Sequence, residues 1–166
     1  MILAALLALA ASGPAASADR IATLRCGAAD LRLASRAAAG TTAPLAPADQ
    51  TLTRRVGSRR ATVALEPSGR VTIEGHRVRD RYVSSWACLT GGRGVRYVLL
   101  GYACAVDPGD RNDCGGEKEW FPLLGVNGRF ADTGVPHDGA ARERLNARLG
   151  IVGAMAAGVT MTPVIE

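Results

Sequence analysis

The chain has 166 residues, 48% of them hydrophobic, and a net charge of +5. A single domain of this size buries roughly two thirds of its unfolded surface, which excludes a scaffold held by cross-links alone. Residues 19 to 81 hold twelve arginines against six acids, whereas residues 82 to 137 hold five basic side chains against six acidic ones, so the surplus belongs to the N-terminal half. Of the twenty basic residues only Lys118 is a lysine, and a surface of arginines suits phosphate or carboxylate groups.

Met1 is followed by the apolar run Ile2 to Ala11, then Gly13 and Pro14, then Ala16, Ser17 and Ala18 before the first charge at Asp19. This order predicts a secretory signal peptide over residues 1–18, cleaved after Ala18, with one domain over 19–166. The apolar run has no polar face and is too short to cross a bilayer. Cys26 lies too far beyond the small residues to carry a lipid, so the expected product is secreted or periplasmic, without a transmembrane anchor. Nucleic acid is not expected as a partner there.

Export makes disulfides the expected state of the four cysteines. Zinc does not fit, because there is no Cys-x-x-Cys pair and His76 and His137 lie far from the cysteines in sequence.

Leu24 and Cys26, then Leu31 and Leu33, alternate on either side of a small, turn-prone interval and predict a first hairpin. Residues 37 to 50, with Pro44 and Pro47, read as a loop. Arg54, Arg55, Arg59 and Arg60 then flank Val56, Gly57 and Ser58. Four guanidinia at a hairpin end can clamp anions in a bidentate manner, or can simply keep an edge strand soluble. Thr62 to Leu65 and Arg70 to Ile73 alternate around Glu66, Pro67, Ser68 and Gly69, which predicts a hairpin closed by a type I turn.

All seven aromatic residues lie between Tyr82 and Phe130. Tyr82 to Leu89 and Val95 to Ala105, joined by Thr90 to Gly94, form the predicted central hairpin. A symmetric closure sets Cys88 opposite Arg96, Trp86 opposite Val98, Ser84 opposite Leu100 and Tyr82 opposite Tyr102. The glycines match no phosphate-binding fingerprint and read as a turn.

That register places Cys88 and Cys104 about 25 Å apart along the ribbon, beyond bridging reach. The favoured pairing is Cys104 with Cys114 and Cys26 with Cys88, against Cys26 with Cys104 and Cys88 with Cys114. Glu119 to Gly125 predicts an edge strand, since Pro122 cannot donate to a ladder. Asn127-Gly128 predicts a turn into Phe130. Asp138 is the expected cap of a helix with Ala141, Leu145 and Leu149 on one face, Arg142, Arg144 and Arg148 outward, and Gly150 at its end. The nine residues Ile151 to Val159 cannot span a bilayer and lead to a closing edge strand.

These elements predict a mainly β domain, an open antiparallel sheet or small barrel of about seven or eight strands, with one C-terminal helix and two disulfides. For function, the leading expectation is an envelope binding or inhibitor protein. It would meet a protein partner through the loop between Cys104 and Cys114, using Asp107, Asp110, Arg111, Asn112, Asp113, Glu117 and Lys118, because a pre-ordered polar loop loses less entropy on binding. Its acidic spacing does not match a calcium loop, and no metal or other cofactor is expected. The alternative is a polyanion or glycan binder using Arg54, Arg55, Arg59 and Arg60. No Gly-x-Ser-x-Gly or His-Glu-x-x-His motif occurs, and catalysis is not expected. A hydrolase remains the third reading, with Ser84 or Ser85, His76 and Asp80 as the group to be assembled.

Overall fold

The computed structural model describes residues 19–39, 46–106, 119–131, 139–152 and 160–165. The first sheet is a four-stranded antiparallel meander of β1 (Asp19–Cys26), β2 (Ala29–Arg36), β3 (Asp49–Val56) and β4 (Arg59–Val63). Its first hairpin is the one expected, closed by two residues at Gly27 and Ala28, and Cys26 lies opposite Ala29. β3 already begins at Asp49, inside the segment expected to be loop; residues 40–45 of that segment lie outside the described residues.

The second sheet is built on β7 (Arg81–Thr90) and β8 (Arg96–Cys104). β9 (Glu119–Trp120) and β10 (Leu123–Gly125) pair with β8 on one side, and β11 (Thr162–Pro163) pairs with β7 on the other. The gap between β9 and β10 falls at Pro122, which has no N–H to donate; its carbonyl still accepts from the Leu100 N–H at 3.1 Å. The expected edge position of this segment and the closing strand near the C-terminus are both present.

Inner-facing residues of the two sheets form one core. Leu31, Leu33, Leu52 and Val63 from the first meet Val83, Trp86, Val98, Leu100 and Tyr102 from the second. On the far face of the second sheet, Ala87, Leu89, Leu99 and Leu123 pack against Leu145 of the helix α1 (Gly139–Leu149) and against Ile151. The order is therefore sheet, sheet, helix. The sheets remain separate, and the barrel alternative is set aside.

Three expectations are corrected. The Thr62–Leu65 segment does not pair with Arg70–Ile73: β4 pairs with β3, and β5 (Arg70–Ile73) pairs with β6 (His76–Arg79). Glu74 and Gly75 close that second hairpin with φ of 49° and 80°, and two left-handed residues match the twist of flanking strands. Glu66 is drawn elsewhere, its N–H donating to the Tyr102 hydroxyl at 3.2 Å and its carboxylate accepting from Trp120 Nε1 at 3.0 Å. Trp120 stacks on Tyr102 with centroids 5.2 Å apart, as an anchor in the core.

The central register is offset by two residues, with Cys88 opposite Val98 and Trp86 opposite Leu100. A slip of two keeps every side chain on its face, so the expected core survives it. Beyond Ser85 a β-bulge takes back one residue of that offset; Val83 then faces Tyr102, and Tyr82 turns to a third cluster with Val71 and Val78. The glycines of the connecting loop also seat the helix: a Cβ on Gly91 would come within 2.6 Å of the Leu149 carbonyl oxygen, and one on Gly150 within 2.7 Å of the Gly92 backbone.

The third correction is Arg142. Instead of facing solvent with Arg144 and Arg148, it is buried and donates to the Phe121 carbonyl. Gly150 ends the helix in a left-handed conformation, its N–H bonded to Ala147 O and that of Ile151 to Asn146 O. The proposed cap Asp138 lies outside the described residues.

Cys26 and Cys88 are bridged, with Cα atoms 5.4 Å apart, joining the end of β1 to β7. This is the favoured pairing. One bridge rather than two is therefore described, because Cys114, the expected partner of Cys104, lies outside the described residues; no described cysteine is a free thiol.

Candidate anion-binding face

Alternation along the first sheet sends Leu24, Cys26, Leu31, Leu33 and Leu52 inward, so the residues between them form its outer face. Register then builds rows across the strands. Arg25 lies opposite Asp30, Asp30 opposite Arg55, and Arg55 opposite Arg60. The next row runs Thr23, Arg32, Thr53, Thr62. With strands about 4.8 Å apart, both rows lie within reach of one small ligand.

A cavity of about 470 Å³ opens on this face, lined by Thr23, Leu24, Arg25, Asp30, Leu31, Arg32, Thr53, Arg55 and Arg60. Among the described residues, four guanidinia thus share it with one carboxylate. Asp30 Oδ2 accepts from Arg55 Nη2 at 2.8 Å, and its Oδ1 lies 3.8 Å from Arg25 Nε. Arg32 and Arg60 make no ion pair with any described residue. Arg25 and Arg55 keep 83% and 55% of their side-chain surface exposed, so their pairs with Asp30 are solvated and release readily to a competing anion.

The four arginines singled out in sequence do not converge. Arg55 and Arg60 belong to the outer face, whereas the period-two alternation turns Arg54 and Arg59 to the other side. Arg54 donates from Nη1 to the Val126 carbonyl at 2.7 Å, tying the meander to the turn after β10, and is structural. In their place the fold recruits Thr23, Arg25, Asp30, Arg32 and Thr53, which sequence reasoning passed over. The signal was present: Thr23, Arg25, Asp30 and Arg32 are interleaved with Leu24, Cys26, Leu31 and Leu33 in the first hairpin, and Thr53 follows Leu52 on β3.

The other proposed groups fare differently. Asp107, Asp110, Arg111, Asn112, Asp113, Glu117 and Lys118 lie outside the described residues. Among the described residues no cluster of three metal-ligating side chains occurs. Ser84 donates to the Gly101 carbonyl at 3.2 Å and Asp80 accepts from Ser68 Oγ at 2.7 Å, while His76 bonds to neither, so the proposed hydrolase group is not assembled.

No protein-family model, no curated protein and no solved structure matches the chain.

Proposed function

We propose that this domain is a binding module that holds an anionic polymer against the outer face of β1 to β4. The reading is carried by the cavity in which Arg25, Arg32, Arg55 and Arg60 converge around a single acid, with Arg32 and Arg60 unpaired within the described residues. Arginine presents a planar fork of donors that matches carboxylate, sulfate and phosphate oxygens. No catalytic step is needed for such a role. A disulfide and the absence, among the described residues, of a helix able to cross a membrane fit an extracellular or periplasmic protein. We place the domain there after cleavage of residues 1–18, facing envelope polyanions or acidic glycans.

The test is retention on immobilised heparin across a salt gradient. Wild type binds at low ionic strength and elutes as screening sets in. The double variant Arg32→Gln/Arg60→Gln elutes much earlier. The charge-matched control Arg70→Gln/Arg77→Gln, on the exposed side of the β5–β6 hairpin, elutes close to wild type. Equal weakening by both pairs would reduce the effect to net charge and overturn the proposal, as would failure of the wild type to bind.

A further inference from the structure

We infer that Asp30 makes this face selective for anions that also carry hydroxyl groups, an acidic polysaccharide, over polymers of bare phosphate. The inference rests on the anion-binding reading above and specifies its ligand class. A cavity meant only for a fully ionised anion gains nothing from an acid at its centre, where the negative charge opposes the ligand. Here Asp30 sits between Arg25 and Arg55 in the cross-strand row, and among the described residues it is the sole acid lining the cavity.

Its two oxygens are used unequally. Oδ2 is bonded to Arg55 at 2.8 Å, but the nearest described cation to Oδ1, Arg25 Nε at 3.8 Å, is beyond hydrogen-bond distance. Oδ1 therefore keeps acceptor capacity, on a side chain that is 41% exposed. Thr23 and Thr53 flank Arg32 in the adjoining row and offer hydroxyls that both donate and accept. The cavity presents donors from arginine, acceptors from Asp30, and hydroxyls of either sense. A ligand that complements all three carries anionic oxygens and hydroxyl donors together. Polyphosphate supplies only acceptors and leaves Asp30 facing like charge.

The experiment measures binding of polygalacturonate and of polyphosphate, matched in total charge and at one ionic strength, to wild type, Asp30→Asn and Asp30→Ser, with urea midpoints confirming that each variant is folded. Wild type is expected to prefer polygalacturonate by about tenfold, the value of one hydrogen bond to a charged acceptor. Asp30→Asn and Asp30→Ser both remove the charge and keep only a weaker, neutral acceptor, so each should bind polyphosphate several-fold tighter and lose most of that preference. If both substitutions raise affinity for the two polymers by the same factor, Asp30 contributes charge alone and the selectivity inference fails while the anion site stands. If wild type binds neither polymer, the anion-binding reading falls with it.

Discussion

Gln50 joins the two sheets, and its replacement should be among the most damaging single changes in the chain. The side chain is 6% exposed; its Nε2 donates to Val83 O at 2.8 Å and Ser35 Oγ at 3.0 Å, while its Oε1 accepts from Val83 N at 2.8 Å. The amide thereby replaces a neighbouring strand at the point where the bulge disturbs β7. Gln50→Met keeps the length and removes all three bonds, leaving the N–H and C=O of the fully buried Val83 without partners. Each orphaned group costs about 1–3 kcal/mol. The Ser35 hydroxyl can rotate, and the thioether recovers on the order of 1 kcal/mol by apolar burial, so the net loss is about 3 kcal/mol. Against a total of about 5–15 kcal/mol, urea denaturation followed by tryptophan fluorescence should show a midpoint lowered by about 1–2 M with an unchanged slope. A loss under about 0.5 kcal/mol would refute the bridging role. Gln50→Glu adds a pH arm. A carboxylate can accept from Val83 N but meets Val83 O as a second acceptor, so burial raises its folded pKa above the unfolded value of about 4.3. The variant is then most stable below that pH and weakens as pH rises through the folded value.

Cys26→Ala/Cys88→Ala opens a bridge between residues 62 apart, for which chain entropy gives a loss of up to about 4 kcal/mol; a thermal scan showing less than about 1 kcal/mol would contradict this. Glu74→Asn, at φ 49° before Gly75, creates the preferred pair for a two-residue hairpin and should stabilise by about 0.5 kcal/mol in the same urea assay, whereas no gain would mean the turn tolerates glutamate without strain. Burial pushes the Tyr102 phenol well above its ordinary value, so its contribution is complete below about pH 10 and is lost as pH rises beyond that. Tyr102→Phe should therefore flatten the alkaline loss of stability, and an unaltered profile would argue against it.

The sequence was most legible where one residue type enforces one geometry. Pro122 placed its segment at an edge, Gly150 ended the helix, and alternation around Gly27 located the first hairpin. Distance along a ribbon excluded only Cys88 with Cys104, an argument that survives a slipped register; Cys26 with Cys88 was then what remained once the short loop from Cys104 to Cys114 was preferred. Partner choice between strands was less legible. Glu66 to Gly69 has good turn residues, but the part-buried bonds that Glu66 makes, donating to Tyr102 and accepting from Trp120, are non-local and invisible in a window of ten residues, so tertiary contacts overrode the local cue. Conversely, Glu74-Gly75 is a weak turn signal that the fold uses because the strands on both sides pair well. The candidate site fails in sequence for the same reason: Arg25, Asp30, Arg55 and Arg60 are neighbours only once three registers are fixed, while the contiguous arginines Arg54 and Arg55 are forced apart by the pleat.

That row also offers a way to separate binding from mere solubility. Arg55 and Arg60 face each other directly across β3 and β4, and like charges in that position oppose folding. An edge strand kept soluble for its own sake is served as well by alternating signs, which would attract across the ladder. Retaining two arginines there makes physical sense if the free cation is wanted for a ligand. Arg60→Glu converts the repulsion into an attraction at an exposed pair, worth about 0.5 kcal/mol. The variant should thus unfold at slightly higher urea than wild type and yet leave heparin at much lower salt. A protein that became less stable, or that held heparin as before, would show that Arg60 neither opposes the fold nor serves the face. Stability and retention moving in opposite directions is the outcome that a purely decorative charge cannot produce.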